Sequence, residues 1–410
     1  MGRVHICYAM YDKKGTFSKY VGTSMTSVFE NTEAPVTMHL MHDSTLTDDN
    51  RKKFEALAER YGQEIKFYNM EDLVGDVLGG ILDIIPKALT DRFSQAALYR
   101  LLAGAVMPKD VRRLIYLDAD TIVNLDIEEL WHEKLGENGL AAVEETAATQ
   151  GNPADQPLIS KGIVARDRYF NSGVLVIDLD RWREHPEFLT DGLQMLSDNP
   201  DCFCFDQDIL NFSFAVAYAK LPGRYDVFVS VDRYLGNEIR AAIYHYAGAV
   251  LDPFNAADAH NRLYVSYFTK SPWCSDDFVM RLFGRMYEIM DSSRAGSREY
   301  LTAAAGRRRI FLGSAEMRDK VERYFRIKKG EEYKAVIGKD GTLSVKPLIQ
   351  MMKENRGALF VLFMDVYEDL KMHFQKAGFE EMTDYVDGLQ LMTETEGGTK
   401  LWGGDLFSSL

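Results

Sequence analysis

Two aspartates stand one residue apart at the end of an apolar stretch. The sequence LIYLDAD runs from Leu114 to Asp120, so Asp118 and Asp120 follow a predicted buried strand. Alternate residues of a strand point to opposite faces, but where the strand gives way to a turn both carboxylates can converge on one divalent cation. Such a cation keeps positions for diphosphate oxygens. An isolated Asp-x-Asp is usually two solvated acids in a turn, and the apolar strand before this pair favours metal binding.

The segments that lead to the two acids alternate between strand and helix patterns. The strands are VHICYAM, VTMHLMHD and IKFYNM, and the helices are KYVGTSMTSVFENT, TLTDDNRKKFEALAERYG and TDRFSQAALYRLLAGAVMP. Thr47 is predicted to cap the second helix, whose first turn carries Asp48 and Asp49. This alternation predicts an α/β fold with a mostly parallel sheet. The acids then lie at the carboxyl end of a central strand, the edge where open α/β sheets bind ligands.

Length and composition restrict the class of protein. A chain of 410 residues suits two or three domains. A formal charge of −14 argues against nucleic acid as a partner. The four cysteines form neither a disulfide framework nor a CxxC metal site, so we expect reduced thiols. The amino end lacks a signal-length apolar core and no window is apolar enough to cross a bilayer, which predicts a cytoplasmic location.

Five stretches together resemble one enzyme family. LIYLDADTIVNLDIEELW is similar to the metal-binding segment of glycosyltransferase family 8, which includes bacterial lipopolysaccharide galactosyl- and glucosyltransferases and glycogenin. FSQAALYRLL precedes it, and YFNSGVLVIDLDRWRE, FDQDILNFSF and IYHYAG follow in the family's order. The resemblance covers about the first 275 residues. It implies a GT-A fold, which is Rossmann-like, a nucleotide-sugar donor, a divalent metal that is usually manganese, and retention of configuration at the anomeric carbon.

The resemblance implies a metal site and a donor site. The residues that match the family's metal ligands are Asp118, Asp120 and His245, and Arg100 matches its donor-sugar arginine. From the residues alone, a histidine in an apolar run is more often a core residue. Arg100 could be a surface arginine, although its apolar neighbours indicate a buried helix. Gly248 matches a glycine whose amide approaches the donor phosphates.

Two motifs supply polar residues for contacts with the sugar. Asn171 can donate to and accept from hydroxyls, with a turn asparagine as the alternative. FDQDILN places Asp206, Gln207 and Asp208 at the start of a helix, where acids ordinarily cap. By position in the family's motif, Asp206 would bind donor hydroxyls, Gln207 would lie under the anomeric carbon, and Asp208 would be structural. The acceptor could attack from the face that UDP leaves, or Asp206 or Gln207 could form a transient covalent intermediate.

The chain departs from the family's pattern at two places. After the histidine motif the family commonly has a lysine that pairs with the diphosphate, whereas this chain has Leu251 and Asp252; Lys270 is a candidate replacement. At the amino end the family has two consecutive acids near the uracil and ribose, whereas this chain reads YAMYDKKGTFSKY. We expect Asp12 to keep one of these roles and Tyr11 to stack on the base or hydrogen bond to it.

The carboxy-terminal part carries a different pattern. RIFLGSAEM, EEYKAVI and ALFVLFM predict strands, and VYEDLKMHFQKAGF predicts an amphipathic helix ending at Gly378. The predicted domains are a catalytic domain over residues 1–280, a helical or linker region over 281–306 and a small α/β domain over 307–410. The last is similar to extensions on some bacterial capsule and cell-surface glycosyltransferases. A single glycine after a strand is too little for a dinucleotide site, so we expect a role in interaction or acceptor handling.

The resemblance implies a retaining hexosyltransferase. By the resemblance it moves glucose or galactose from a UDP-sugar to a saccharide, lipid-linked glycan or protein acceptor, with Mn²⁺ or Mg²⁺, in bacterial surface-polysaccharide assembly. A non-catalytic nucleotide-sugar binder or scaffold is the alternative, favoured by the absent lysine. A haloacid-dehalogenase-type phosphatase is disfavoured because Thr121 follows the second Asp directly rather than two places later. Membrane contact would be peripheral, through Arg307, Arg308 and Arg309, unless these form a solvated linker.

Overall fold

The chain divides into two units between Val279 and Met280. The computed structural model describes residues 2–86, 94–145, 156–247, 251, 255, 257–284, 286, 300, 302–338, 342–364 and 366–396. Most of the predicted linker over 281–306 and the end of the chain from 397 therefore lie outside the described residues. Each unit has its own sheet and its own apolar core.

Among the described residues, ten strands form the sheets of the amino-terminal unit. They are β1 (Val4–Ala9), β2 (Val36–His42), β3 (Glu64–Asn69), β4 (Arg113–Leu117), β5 (Thr121–Asn124), β6 (Leu140–Glu144), β7 (Phe170–Asp178), β8 (Ala219–Lys220), β9 (Val227–Phe228) and β10 (Ala242–His245). Seven of them form one sheet in the order β3-β2-β1-β4-β7-β6-β8, and β5, β10 and β9 form a second. Strands β1 to β4 are parallel to one another, whereas β7 runs antiparallel to both β4 and β6. The predicted α/β fold with a mostly parallel sheet is confirmed.

Helices cover the sheet of this unit. They are α1 (Ser18–Asn31), α2 (Asp48–Arg60), α3 (Met70–Ile84), α4 (Ala96–Tyr99), α5 (Ala103–Val106), α6 (Ile127–Trp131), α7 (Pro157–Ser160), α8 (Leu179–Glu184), α9 (Glu187–Asp198), α10 (Phe205–Phe214), α11 (Val229–Leu235) and α12 (Ala259–Phe268). The predicted cap of α2 is confirmed, because the Thr47 side chain accepts a hydrogen bond from the Asn50 amide.

The helix predicted over residues 90–108 is interrupted. Residues 90–93 lie outside the described residues, and the remainder consists of α4, a 3₁₀ turn over Arg100–Leu102, and α5. The Arg100 Nε–H donates to the carbonyl of Ala97 at 3.1 Å, so a side chain uses an acceptor of the helix backbone. Local 3₁₀ geometry is the usual result where helical bonding is disturbed. The helix pattern was therefore right in type and wrong in continuity.

Gly22 in α1 lies directly under the indole ring of Trp273. A Cβ built on Gly22 would lie 2.0 Å from the ring atom Cζ3. The ring cannot move freely, because Trp273 Nε1–H donates to Asn50 Oδ1 at 2.9 Å and the ring packs on Phe54 at 4.7 Å between centroids. The glycine thus lets α1 approach the segment that contains Trp273.

Gly22→Ala is expected to destabilise the protein although alanine is the better helix former. The overpacked contact should cost about 1–3 kcal/mol, which outweighs a propensity gain of about 1 kcal/mol. Gly79→Ala in α3 is the matched control, because a Cβ there meets nothing within 4 Å and should leave the free energy of unfolding unchanged or raise it. Denaturant unfolding of both variants measures this, and a stabilised Gly22→Ala would contradict it.

The carboxy-terminal unit has an α/β fold with a parallel sheet. Its strands are β11 (Arg309–Gly313), β12 (Glu332–Ala335), β13 (Leu359–Leu362) and β14 (Tyr385–Asp387), in the order β12-β11-β13-β14 with parallel neighbours throughout. Its helices are α13 (Arg318–Phe325), α14 (Val345–Glu354), α15 (Tyr367–Lys376) and α16 (Gly388–Glu396). The three predicted strands and the amphipathic helix before Gly378 all form.

The three consecutive arginines of this unit make contacts within it. Arg307 donates to the carbonyls of Gly357, Thr383 and Ala358. Arg308 pairs with Glu332, and Arg309 pairs with Glu331 at 2.6 Å. These contacts tie the start of β11 to its neighbours. They favour a structural role over the predicted membrane contact for these side chains. Among the described helices of both units, none is long and apolar enough to cross a membrane.

Candidate metal and donor site

The two aspartates of the Asp-x-Asp lie in the turn between the two sheets. Asp118 follows β4 and Asp120 precedes β5, so the chain changes from one sheet to the other at this point. His245 ends β10, the antiparallel neighbour of β5, and is directly opposite Thr121. The backbone fixes both acids, because the Asp118 amide donates to the carbonyl of Gly173 and the Tyr246 amide donates to the carbonyl of Asp120, each at 2.8 Å.

The structure brings the three predicted metal ligands together. His245 Nε2 is 3.3 Å from Asp120 Oδ1 and 3.8 Å from Asp118 Oδ2. One ligand atom from each residue lies within 4.8 Å of the others. Two carboxylate oxygens and an imidazole nitrogen suit Mn²⁺ or another borderline-hard divalent ion.

A fourth residue, Asp226, orients the histidine. Its Oδ1 lies 2.9 Å from His245 Nδ1, so Nε2 is turned toward the two aspartates. A carboxylate on the second ring nitrogen is the usual support of a metal-binding histidine. Burial alone would lower the pKa of His245, but the carboxylates of Asp120 and Asp226 outweigh it and raise the pKa well above its ordinary value. The environment of this ring therefore favours a positive charge at its position.

The absence of a side chain at Gly173 keeps the space beside the ligands clear. A Cβ built there would lie 2.4 Å from His245 Cε1, 2.8 Å from Asp118 Oδ2 and 2.9 Å from Asn171 Oδ1. Glycine is required by this close approach, since no positive φ is involved. The donor set and the cleared space between β7 and the ligands both fit a divalent metal.

The two carboxylate oxygens of Asp118 have different partners, because Arg100 binds only one of them. Its Nη2–H donates to Asp118 Oδ1 at 2.8 Å, and the hydroxyl of Tyr116 donates to the same oxygen at 3.0 Å. Asp118 Oδ2 is thereby left to face His245. Arg100 Nε lies 3.1 Å from Asp206 Oδ2, and Arg100 is only 6% exposed, so the surface alternative is wrong. Burial would lower the pKa of Arg100, but Asp118 and Asp206 outweigh it, and the guanidinium stays charged.

The remaining sugar-site candidates form a buried polar cluster beside Arg100. Gln207 Oε1 accepts from the Ser172 amide at 3.0 Å and from Asn171 Nδ2 at 3.2 Å. Ser172 also links the cluster to Arg100, whose Nη1–H donates to the Ser172 carbonyl at 2.6 Å. Burial raises the pKa of Asp206, and Arg100 opposes that rise. Asn171, Asp206 and Gln207 thus lie within one hydrogen-bonded network with Arg100.

Asp208, expected to be structural, holds the start of α10. It accepts from the Cys204 amide at 3.0 Å and from the hydroxyl of Tyr169 at 2.8 Å. Burial raises its pKa to about 6, although both hydrogen bonds oppose the rise. Hydrogen bonds of this kind fix a carboxylate at the start of a helix, so they support the structural interpretation of Asp208.

The two amino-end candidates differ in burial and in the contacts they make. Asp12 is buried, and its carboxylate accepts from the Phe17 and Ser18 amides, the Ser18 hydroxyl and Asn50 Nδ2. It therefore fixes the loop that begins α1, and its contact with the donor stays a prediction. Tyr11 is partly buried against the core at the carboxyl end of β1.

The region after the histidine motif contains the other predicted phosphate contacts. Gly248 and Asp252 lie outside the described residues. The Lys270 ammonium pairs with Glu30 in the last turn of α1. This ion pair does not favour Lys270 as the replacement for the family's lysine.

Sequence reasoning missed two acids of the site, Asp226 and Glu145. Asp226 contacts His245, and Glu145 contacts Asn171 and Gln207. Asp226 immediately precedes β9, whose pairing with β10 brings it to His245. Glu145 follows β6, the strand that pairs with β7. The end of an apolar strand is the signal that led to Asp118 and Asp120, and it also fits Glu145, whereas Asp226 precedes its strand and carries no such signal.

Comparisons with known proteins identify the family of this chain. The family model described as "Glycosyl transferase family 8" matches residues 8–250. General stress protein A of Bacillus subtilis is 24% identical over 279 residues, which are 63% of this chain and 91% of that protein. Lipopolysaccharide 1,2-glucosyltransferase of Escherichia coli is 27% identical over 271 residues, covering 62% and 75% respectively.

A solved structure shows the shared fold. The galactosyltransferase LgtC, solved with donor and acceptor sugar analogs, superposes with a TM-score of 0.52 at 20% identity, over 67% of this chain and 99% of that one. The predicted GT-A fold is confirmed by this likeness. The family match extends over more than half of the chain and includes all five motifs. This chain belongs to glycosyltransferase family 8.

Proposed function

We propose that this glycosyltransferase is a metal-dependent, retaining hexosyltransferase that takes glucose or galactose from a UDP-sugar. The observation that carries the proposal is that Asp118 joins two sites. One of its oxygens faces His245, and the other is held by Arg100, which also contacts Asp206. A metal-ligand cluster and a polar cluster suited to sugar hydroxyls are thus built around a single carboxylate.

The metal site would be formed by Asp118, Asp120 and His245. When bound, Mn²⁺ or Mg²⁺ would neutralise charge on the donor's diphosphate as the glycosyl bond breaks. Asp226 holds the ring of His245 in place through Nδ1. The chain's own contribution is to fix these groups before the donor arrives, so little reorganisation is needed during the reaction.

The sugar site would use the network beside Arg100. The guanidinium lies 3.1 Å from Asp206 and opposes the rise in the pKa of Asp206 that burial causes, and the carboxylate of Asp206 would accept from donor hydroxyls. Asn171 offers both a donor and an acceptor. Gln207 would lie at the anomeric carbon. Retention follows either from attack on the face that UDP leaves or from a covalent intermediate on Asp206 or Gln207.

The acceptor belongs to the same proposal. A saccharide, a lipid-linked glycan or a protein would supply the hydroxyl, and the Escherichia coli relative, named a lipopolysaccharide glucosyltransferase, supports a role in bacterial surface glycans. We place this reaction in the cytoplasm, with any membrane contact peripheral. The domain over residues 307–410 would serve interaction or acceptor handling.

UDP release from a panel of UDP-sugars tests the donor assignment. We expect hydrolysis of UDP-glucose or UDP-galactose with Mn²⁺, weaker hydrolysis with Mg²⁺, and none with a chelator. Equal rates with and without chelator would contradict metal dependence. Binding of a UDP-sugar with no turnover would instead favour the non-catalytic alternative, which draws support from Leu251 at the place of the family's lysine.

A further inference from the structure

Glu145 is a buried acid on the sugar side of the candidate site. It follows β6 directly and is 2% exposed. Its amide donates to the carbonyl of Tyr169 at 2.8 Å, which extends the β6–β7 pairing to the start of β7. The backbone therefore holds Glu145 beside the network that contains Asn171 and Gln207.

Each oxygen of Glu145 faces the amide nitrogen of a different residue. Gln207 Nε2 donates to Oε2 at 3.1 Å, and Asn171 Nδ2 lies 3.5 Å from Oε1. The second contact is long, so the Gln207 bond is the stronger of the two. Because the amide nitrogen of Gln207 is directed at Glu145, its carbonyl oxygen must face the other way, toward Ser172 and Asn171.

We propose that Glu145 is a positioning residue for the transfer reaction: its ionised carboxylate fixes the amide of Gln207 in the orientation that the reaction uses. This inference rests on the proposed function, in which Gln207 lies at the anomeric carbon. An ionised carboxylate only accepts hydrogen bonds, whereas a protonated one presents a donor at one oxygen. Protonation of Glu145 therefore leaves one of the two amide nitrogens facing a donor, and the neutral acid holds the amides of Asn171 and Gln207 less firmly than the carboxylate does.

The surroundings of Glu145 raise the pKa of its carboxyl group toward neutral and mildly alkaline pH. Burial, the largest cause, raises its pKa to about 8. The hydrogen bond from Asn171 opposes the rise, the charges of Asp226 and Asp208 add to it, and His245 opposes it. Tyr169 faces the same cluster through its hydroxyl, 3.3 Å from Gln207 Nε2. The active, ionised form should therefore accumulate as pH increases through about 8.

The test compares the wild type with Glu145→Gln over pH 6 to 10 in the UDP-release assay. Wild-type kcat should rise with pH through a limb near 8. Glu145→Gln has the shape of the protonated acid, so that limb should vanish and kcat at high pH should fall about 100-fold, as for a misplaced reacting group. Affinity for UDP with Mn²⁺ should stay unchanged, because Glu145 does not contact Asp118, Asp120 or His245 in the described structure. The effect then falls on kcat rather than on nucleotide binding.

Glu144→Gln is the matched control. Glu144 is the preceding residue, pairs with Lys220 at 2.7 Å and lies outside the site, so its variant should keep the wild-type rate and the limb. If Glu145→Gln keeps both as well, the inference is overturned while the proposed function stands. If it does not fold, the wild-type profile decides, since a kcat that is flat between pH 7 and 9 also overturns the inference. A wild type that turns over no UDP-sugar overturns both.

Discussion

Replacing Asp120 with asparagine is expected to remove metal-dependent turnover of the donor while the protein stays folded. Asp120 Oδ1 lies 3.3 Å from His245 Nε2, and its side chain is 45% exposed. The variant should stay folded, because His245 keeps the carboxylate of Asp226 when the charge of Asp120 is lost. A metal contributes several kcal/mol of charge stabilisation, and at about 1.4 kcal/mol per tenfold in rate the loss should be about 1,000-fold in kcat/KM.

UDP release and Mn²⁺ titration of the variant measure this effect. Asp49→Asn is the matched control, because Asp49 is 75% exposed and pairs only with Lys53 one turn away among the described ion pairs. The control should keep wild-type turnover, metal affinity and melting temperature, and Asp120→Asn should still unfold in one cooperative transition. If Asp120→Asn kept metal-dependent turnover within tenfold of wild type, Asp120 would not be a ligand.

The sequence was informative where chemistry follows directly from a local pattern. Four mostly apolar residues, Leu114 to Leu117, predict the strand before Asp118, and a ligand-binding role for the acids at its end follows from the edge rule for α/β sheets. The cap of α2 by Thr47 is local in the same sense. Arg100 could be judged buried because its neighbours on the helix are apolar, although the pattern did not reveal the 3₁₀ turn over Arg100–Leu102.

The rest depends on which distant segments pair. Asn171 and Gly173 reach Asp118 because β7 lies beside β4 in antiparallel register, with Leu117 opposite Val174. The same strand also pairs with β6 and so brings Glu145 to Asn171. No periodicity within one segment encodes these neighbours. The resemblance to a family supplied Asn171 and His245, but it could not supply a residue such as Asp226, which carried no motif.

Gly173→Ala is expected to destroy the metal site although it removes none of the ligands. The added methyl group would lie 2.4 Å from His245 Cε1 and 2.8 Å from Asp118 Oδ2. Neither neighbour can move without cost. Asp118 is held by Arg100 at 2.8 Å, and His245 is held by Asp226 at 2.9 Å. Separation of a buried, hydrogen-bonded charge pair costs about 3–5 kcal/mol when a partner is left unpaired.

The metal affinity of Gly173→Ala should therefore fall by about 1,000-fold, since 1.4 kcal/mol corresponds to a factor of ten. The free energy of unfolding should fall by about 1–3 kcal/mol, as for other overpacked cores. Gly104→Ala in α5 is the control, because a Cβ there meets its nearest neighbour, Trp182 Cβ, at an ordinary 3.5 Å. Mn²⁺ titration and thermal melts of the two variants separate the effects. If Gly173→Ala bound Mn²⁺ like the wild type, His245 would have to lie away from Asp118 when the metal is bound, and the three residues would not act as one ligand set. The variant thus tests whether the ligands work in the arrangement that β4, β7 and β10 impose on them, a question that removal of any single ligand leaves open.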